Sequence, residues 1–435
     1  MALSAFRRPR SALALALLMS LAFISLGLGV FGLIRNLPAF FPRPEPVDFA
    51  AYYAGASILN STAPYELYNL QLQQRHIEQA GFSTVGGGYI YLPFLAVVLR
   101  PLVLLPFSQA AILWLILNLL WLAGSVWLLL DLAGLGKNNR RSAVALILVF
   151  LLPPVNSTLV MGQVNIILLF LLAAATCLLV RYPASGRAEI LAGLLLGLAT
   201  ALKLFPGIVL LPLIVRCRWR AVGGVLAGLS LALGIGIVWG GGWVNTWRFV
   251  VEVLPHIPSP AVPFNQSLLA VMQRLLTSQE LVFSVLSATN YVTVTSHPLV
   301  DLPVLVYPAT WLLSLAILGT TAWAIRRAIV QEMPVSVDMA LTLLMVLLVL
   351  PLVWKHYHVF ILLPLAILSS LTPQDIFKVT IFMQSLLLLS IQRYTRVLSI
   401  YGIPLWISFG FLAILLIWGY ACYTVVRHSR HEATV

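Results

Sequence analysis

Apolar residues in this chain come in long, nearly unbroken runs, without the period-2 alternation or the three-four spacing of half-buried strands and helices. Such runs recur at about 89–106, 109–131, 143–160, 164–181, 188–202, 204–216, 221–239, 304–325, 337–353, 358–371, 377–392 and 404–426, after a first one from Ser11 to Ile34. Hydrocarbon is roughly 30 Å thick, so a helix rising about 1.5 Å per residue needs about 20 apolar residues to cross it. The pattern predicts an all-α integral membrane protein with about 11–13 transmembrane helices, forming a single polytopic membrane domain over residues 1–435. The first run exceeds the roughly 7–15 apolar residues of a signal-peptide core. It reads as a retained helix, entered from the cytoplasmic side behind Arg7, Arg8 and Arg10.

Two long polar stretches interrupt the runs, residues 35–88 and 240–303. The first opens on Pro38, Pro42, Pro44 and Pro46, mixes aromatic and small polar residues from Asp48 to Tyr68, and ends at Gly86, Gly87 and Gly88. Short interfacial helices are expected there. Basic clusters at Lys137–Arg141, Arg181–Arg187, Arg216–Arg220, Arg326–Arg327 and Arg427–His431 mark cytoplasmic ends, which puts both polar stretches on the non-cytoplasmic face. One region conflicts with that rule. If 89–106 and 109–131 both cross, Lys137, Arg140 and Arg141 land outside; either Pro101 and Pro106 break the region into partial crossings or the local charge bias is overridden. Pro206 forbids a regular helical bond within 188–216, so a hairpin of broken helices buried in the bundle is expected.

Composition agrees with the pattern. Hydrophobic residues make up 61% and charged residues 9%, against about 25% charged in a soluble domain. The net charge of +13 sits at the ends of apolar runs, which the positive-inside pattern explains without a nucleic-acid partner. A multi-pass protein of the cell membrane is the expectation. Cys177, Cys217 and Cys422 have neither metal-site spacing nor a disulfide framework. No Walker loop, Gly-x-Gly-x-x-Gly or His-Glu-x-x-His is present, so nothing here would hydrolyse ATP to drive transport.

Ionisable and amide groups inside such a chain are costly unless they face protein or water. Asp48 could cap a short helix starting at Phe49, or accept a proton from a sugar hydroxyl in a cleft. Lys203 could snorkel to the interface, or meet a lipid-linked phosphate. Gly162-Gln163-Val164-Asn165 could be only a polar turn, or its amides could bond sugar hydroxyls. Trp354-Lys355-His356-Tyr357-His358 could be an aromatic belt, but two histidines and a lysine exceed what a belt needs. Histidines two apart do not share a helical face, so no metal is expected.

At these residues the chain resembles glycosyltransferase family 87, polyprenyl-phosphate-mannose-dependent mannosyltransferases of the GT-C superfamily. The matching pieces run in order: Asp48-Phe49-Ala50-Ala51-Tyr52-Tyr53-Ala54-Gly55 with Leu67-Tyr68; Tyr91-Leu92-Pro93-Phe94 with Arg100-Pro101-Leu102; and Gly162-Gln163-Val164-Asn165. Then follow Gly193–Ala199 leading to Lys203 and Pro206; Asn265-Gln266-Ser267-Leu268 with Arg274; and Pro351-Leu352-Val353-Trp354-Lys355-His356-Tyr357. The resemblance implies a GT-C-type bundle and transfer of a hexose, mannose in the family, from polyprenyl phosphate to a lipid or glycan acceptor. It further implies inversion at the anomeric carbon and a chamber on the non-cytoplasmic side. Asp48 matches the catalytic base and His356 an assisting or phosphate-holding histidine. Lys203 and Arg274 become candidates for the donor phosphate, and Tyr52, Tyr53, Gln163, Asn165, Asn265 and Gln266 for sugar or acceptor. A single Asp stands where many GT-C enzymes pair acidic residues, with only Glu45 near, which argues against a divalent metal; no cofactor is expected beyond the lipid-linked co-substrate. A transporter or flippase of lipid-linked sugars is the alternative. It needs the polar cavity but not Asp48 as a base.

Overall fold

The computed structural model describes residues 46–435 except 82–87, 137–141, 144, 145, 147, 148, 285–290, 372–375, 395–397, 399, 400 and 433–435, and scattered helical positions between 20 and 34. The expected first crossing over 11–34, the stretch 35–45 with Glu45, and the basic cluster Lys137–Arg141 therefore lie wholly or largely outside the described residues.

The described chain is an all-α membrane protein with one small β-hairpin. In order its helices are α1 (Val47–Leu59), α2 (Leu70–Gln79), α3 (Pro93–Leu99), α4 (Phe107–Leu132), α5 (Pro153–Met161), α6 (Asn165–Arg181), α7 (Gly186–Leu202), α8 (Leu210–Val215), α9 (Trp219–Trp239) and α10 (Trp243–Arg248). Then come α11 (Leu268–Leu276), the antiparallel strands β1 (Glu280–Ser284) and β2 (Tyr291–Thr295), α12 (Val306–Val330), α13 (Val335–Val349), α14 (Leu362–Leu371), α15 (Ile376–Ile391), α16 (Pro404–Ile407) and α17 (Phe409–Glu432). Among the described residues four helical stretches are long and apolar enough to cross a membrane: Phe107–Leu132, Trp219–Trp239, Pro303–Val330 and Phe409–Arg427. The other apolar helices are shorter, and of these α6 and α13 are mostly buried.

The 89–106 conflict has a structural answer. Pro93–Leu104 is a 12-residue unit, α3 plus a 3-10 turn containing Pro101, and reaches about 20 Å, well short of the hydrocarbon thickness. Pro106 then starts α4 afresh as its N-cap. With 89–106 not crossing, α4 is the one full crossing among the described residues between the first polar stretch and the basic cluster, so a first polar stretch on the outside leaves that cluster inside, as the charge rule expects.

The first polar stretch is also less peripheral than its composition suggests. Ten of the 13 residues of α1 are buried, so this helix is a core element and does not lie on an interface. Helices α7 and α9 meet backbone to backbone. A Cβ at Gly193 or Gly197 would overlap the carbonyl oxygens of Ala221 and Val225, and one at Gly224 or Gly228 those of Ile190 and Leu194. Two small-xxx-small pairs thus face each other, the sequence device that lets membrane helices approach closely.

Helix α13 is apolar all round and almost wholly buried, as expected of a helix in the middle of a bundle. Near its start the fully buried Asp338 pairs with Arg216. Its other end stops at Leu350-Pro351, from which an extended stretch and a 3-10 segment, Lys355–Ile361, lead into α14. The break expected within 188–216 is present: α7 ends at Leu202, Lys203 is extended, and a 3-10 turn holding Pro206 precedes α8. The second half is not buried as expected, since Leu204, Leu211 and Val215 are exposed.

Candidate active site

Asp48 lies in the first turn of α1, and no side chain caps that helix. Its carboxyl is thus not used as an N-cap and is available to face a cavity. Tyr52, one helical turn on, shares its face. The opposite side of α1 anchors in protein: the Tyr53 hydroxyl donates to the Leu105 carbonyl (2.9 Å), and Phe49 stacks on Trp114 at 5.5 Å. Trp114 in turn donates its indole N–H to the Gly162 carbonyl at 2.7 Å.

Gly162 ends α5 in the left-handed region, φ 68°, which glycine adopts without the Cβ penalty. The chain then delivers Gln163 to the cavity and Asn165 to the first turn of α6. The Gln163 side-chain oxygen accepts from the Tyr52 hydroxyl (2.9 Å), the Lys203 ammonium (3.2 Å) and, more weakly, the Tyr91 hydroxyl (3.4 Å). Asn165 accepts from Lys203 at 2.7 Å and donates to the His356 carbonyl at 3.2 Å. Thr158 also donates to that carbonyl, at 3.2 Å. The Lys203 ammonium lies 4.0 Å from the centroid of the Tyr357 ring, a cation–π contact.

These groups line two adjoining cavities. The polar one, about 280 Å³, is lined by Asp48, Tyr52, Gln163, Trp354, Lys355 and His356 among others. The apolar one, about 360 Å³, has Lys203 in a wall of leucine, isoleucine, proline and phenylalanine side chains. Ile90, Tyr91, Ile257, Leu352 and Tyr357 belong to both and form the partition.

Asp48 is part-exposed, into the cavity. It lies outside every described membrane-spanning helix. Removal from bulk water pushes its carboxyl up to about 6, against the lowering effects of a Gln163 hydrogen bond and the Lys203 charge. A carboxyl poised there ionises at neutral pH yet is basic enough to take a hydroxyl proton during attack. Across the cavity, His356 is buried, and its Nε2 has no hydrogen-bond partner among the described residues. Among the described residues no three His, Cys, Asp or Glu side chains come together as metal ligands.

The structure thus brings together Asp48, His356, Lys203, Tyr52, Gln163 and Asn165, but not four other residues expected at the site. Tyr53 faces away from the cavity, as above. Arg274 is fully buried and gives its guanidinium to the carbonyls of Ala261 (3.2 Å), Val262 (3.2 Å) and Asn265 (2.9 Å) and to the Ser408 hydroxyl (3.1 Å). Asn265 holds the Pro260 carbonyl and the Ser267 and Val353 amides. Gln266 holds the carbonyls of Pro263 and Ile407 and the amides of Gly410 and Phe411. Asn265 ties the loop before α11 to the stretch before His356, where it bridges to Trp354, while Gln266 and Arg274 tie that loop to the junction of α16 and α17. Their work is to shape the wall. Conversely, sequence reasoning missed Tyr91 and Tyr357 as site residues, although both stand in stretches it singled out, Tyr91 two residues before a helix-opening proline.

The broken helices of this membrane protein thus enclose a polar cavity with one poised carboxyl beside an apolar cavity carrying a lysine. Residues 89–351 match glycosyltransferase family 87, and the chain belongs to that family. The match contains Gln163, Asn165 and Lys203; Asp48 and His356 fall on either side of it. The chain is 27% identical over 250 residues, 57% of its length and 50% of the relative's, to a polyprenol-phosphate-mannose-dependent alpha-(1-2)-phosphatidylinositol mannoside mannosyltransferase of Mycobacterium tuberculosis. It is 29% identical over 191 residues, 43% of its length and 44% of the relative's, to a polyprenol-phosphate-mannose-dependent alpha-(1-2)-phosphatidylinositol pentamannoside mannosyltransferase of Mycolicibacterium smegmatis. The chain spans about half the length of the curated relatives it matches.

Proposed function

We propose that this protein is a membrane glycosyltransferase of the GT-C type that moves mannose from polyprenyl phosphate to a lipid or glycan acceptor, with inversion, on the non-cytoplasmic face. The observation that carries the reading is the pairing of cavities: a carboxyl with a raised pKa and a histidine whose Nε2 has no partner among the described residues in the polar one, and an apolar one adjoining it across a shared wall. Mannose as the sugar is supported by the donor in the names of both relatives, and a phosphatidylinositol mannoside is the acceptor those names suggest.

In this reading the first isoprene units occupy the apolar cavity, and the sugar phosphate lies at the partition. The acceptor hydroxyl approaches from the Asp48 side. Asp48 takes its proton, the oxygen forms a bond to the sugar C1, and the C1–O bond to phosphate breaks on the opposite face. The electron pair leaves with polyprenyl phosphate, and the proton stays on the carboxyl until water removes it. Charge growing on the departing phosphate is met by the His356 Nε2 and by the field of Lys203 and Lys355; fixed groups of this kind lower a barrier because they need no reorganisation.

The test is transfer of labelled mannose from polyprenyl-phosphate-mannose by the purified protein and by Asp48→Asn, which keeps size and hydrogen bonding but loses the base. Turnover in wild type that falls by about 100-fold or more in the variant supports the reading. Equal turnover in both removes Asp48 from the mechanism. Transbilayer movement of the intact donor with no bond cleavage would make the protein a flippase.

A further inference from the structure

Among the described residues Lys203 has no carboxylate as a hydrogen-bond partner. Its ammonium contacts two carboxamides, Gln163 and Asn165, and a tyrosine ring. An ammonium can only donate, so the amide atoms it touches must be oxygens. That settles the orientation of both side chains. Gln163 receives Lys203, Tyr52 and Tyr91 on the same oxygen, which leaves its NH₂ as the group hydrogen-bonded to Asp48. Asn165 receives Lys203 on its oxygen and turns its NH₂ to the backbone carbonyl of His356. One buried cation at the break between α7 and α8 therefore orders the amides that hold the two residues expected to do the chemistry, on chain segments otherwise remote from each other.

We infer that Lys203 is a positioning residue: by fixing the Gln163 and Asn165 amides it holds the Asp48 carboxyl and the His356 backbone in register across the cavity, without itself binding the donor phosphate. The inference rests on the transferase reading for its consequence but not for its geometry. Without the ammonium the Gln163 amide is free to turn over, because its tyrosine hydroxyl partners can accept as well as donate, while Asn165 keeps its NH₂ on the His356 carbonyl but loses the partner of its oxygen. A flipped Gln163 would present its oxygen to Asp48, lone pairs against lone pairs, and the carboxyl would lose both a hydrogen bond and a nearby positive charge. The other polar groups facing Asp48 cannot replace them. Tyr52, Tyr91 and Tyr357 are neutral, and Lys355 and His356 stand on the 3-10 segment that lines the far wall.

The experiment uses the full chain in detergent, with helical content and monodispersity checked for each variant. Protonation of Asp48 is read directly, without substrate, from the pH dependence of its carbodiimide labelling by peptide mass spectrometry. In parallel, kcat and donor KM are measured with polyprenyl-phosphate-mannose and a phosphatidylinositol mannoside as acceptor probe. Lys203→Met is expected to raise the labelling midpoint by about one pH unit or more. Its kcat should fall about 100-fold, with donor KM held within about twofold, the kcat loss being what a displacement of the reacting groups by about 1 Å produces. Lys203→Arg, which keeps the cation and its donors, should return the midpoint toward wild type. Gln163→Leu should raise the midpoint in the same sense, and the double variant no further than the larger single one, because the two act in series; this arm decides if Lys203→Met does not fold. A midpoint unmoved in Lys203→Met, or a kept kcat with a raised donor KM, overturns the inference, the latter in favour of direct phosphate contact. A wild type that labels normally but transfers nothing sinks the transferase reading and leaves the labelling arm to decide the positioning role.

Discussion

A Cβ on Gly162 would lie 2.7 Å from the Cβ of Phe49, so the turn between α5 and α6 runs against the first turn of α1 with no room for a side chain. This contact sets the distance between Asp48, one residue before Phe49, and Gln163, one residue after Gly162. It also requires φ 68° at position 162. Gly162→Ala therefore meets two penalties, a left-handed conformation costing about 1–2 kcal/mol and a steric push against Phe49 and Pro46. The expected result is a protein that folds with a lowered thermal midpoint and transfers sugar about 100-fold more slowly, a displacement of about 1 Å being enough for that. Wild-type kcat in Gly162→Ala would show that the spacing is not what the reaction needs.

The Asp48 carboxyl, raised to about 6, predicts two pH effects of opposite benefit. As a base it works when ionised, so kcat/KM should be level above about 6 and fall tenfold per pH unit below it. For stability the direction reverses. The folded state binds the proton more tightly than the unfolded chain, whose carboxyl titrates near 3.8, so the stabilisation is present below about 4 and is lost as pH rises through about 6. By about pH 8 the ionised group costs about 3 kcal/mol. Asp48→Asn should thus unfold at a higher temperature than wild type at pH 8, with the gap closing toward pH 4, while losing turnover throughout. A variant less stable than wild type at pH 8 would contradict the raised value.

The break at Lys203-Leu204-Phe205-Pro206 is visible in the sequence, because a proline and a charge side by side in an apolar run interrupt both the helical bonding and the burial that the run would otherwise continue. The Asp48 and His356 stretches are visible too, as the expensive polar points of an apolar chain. Two things are not legible. An apolar run does not say whether it faces lipid or protein, and so α13, with nearly every residue buried, reads the same as the lipid-facing α12. Nor does an isolated amide or guanidinium reveal whether its partners will be ligand or backbone. Asn265, Gln266 and Arg274 read as ligand groups, yet the two amides and the terminal nitrogens of the guanidinium bond mainly to carbonyls and amides of irregular segments that have no helix of their own to satisfy them. Gln163 and Asn165 stand out in the sequence, but the partner that orients them lies about 40 residues on, beyond any local pattern.

Arg274 accordingly predicts loss of structure where a phosphate ligand would predict loss of donor affinity. Truncation in Arg274→Ala takes the donor from three carbonyls and the Ser408 hydroxyl. Val262 keeps the Asn265 amide and Ser408 the Pro404 carbonyl, so the cost falls on the Ala261 and Asn265 carbonyls, at about 1–3 kcal/mol for each group left unpaired. The expected outcome is a sharp fall in folded yield and thermal midpoint, with donor KM in the surviving folded fraction close to wild type. A stable variant with a raised donor KM would return Arg274 to the phosphate site.

The α7–α9 contact carries the last prediction, since it fixes where Lys203 emerges. Lys203 follows directly on α7, and α7 is seated on α9 at a separation that only glycine permits at positions 193, 197, 224 and 228. Inserting even a methyl group forces one helix away from the other by breaking backbone contacts that no rotamer change can relieve, a strain of about 1–3 kcal/mol. Gly197→Ala and Gly193→Ala differ in their distance from the site: Gly197 is six residues before Lys203 and Gly193 ten. Both should destabilise by similar amounts, measured by thermal unfolding in detergent. Gly197→Ala should in addition displace Lys203 and raise the Asp48 labelling midpoint, while Gly193→Ala, further down the helix, should leave that midpoint nearer to wild type. Equal midpoints in the two variants would mean that the helix pair supports the bundle but does not set the position of the cation.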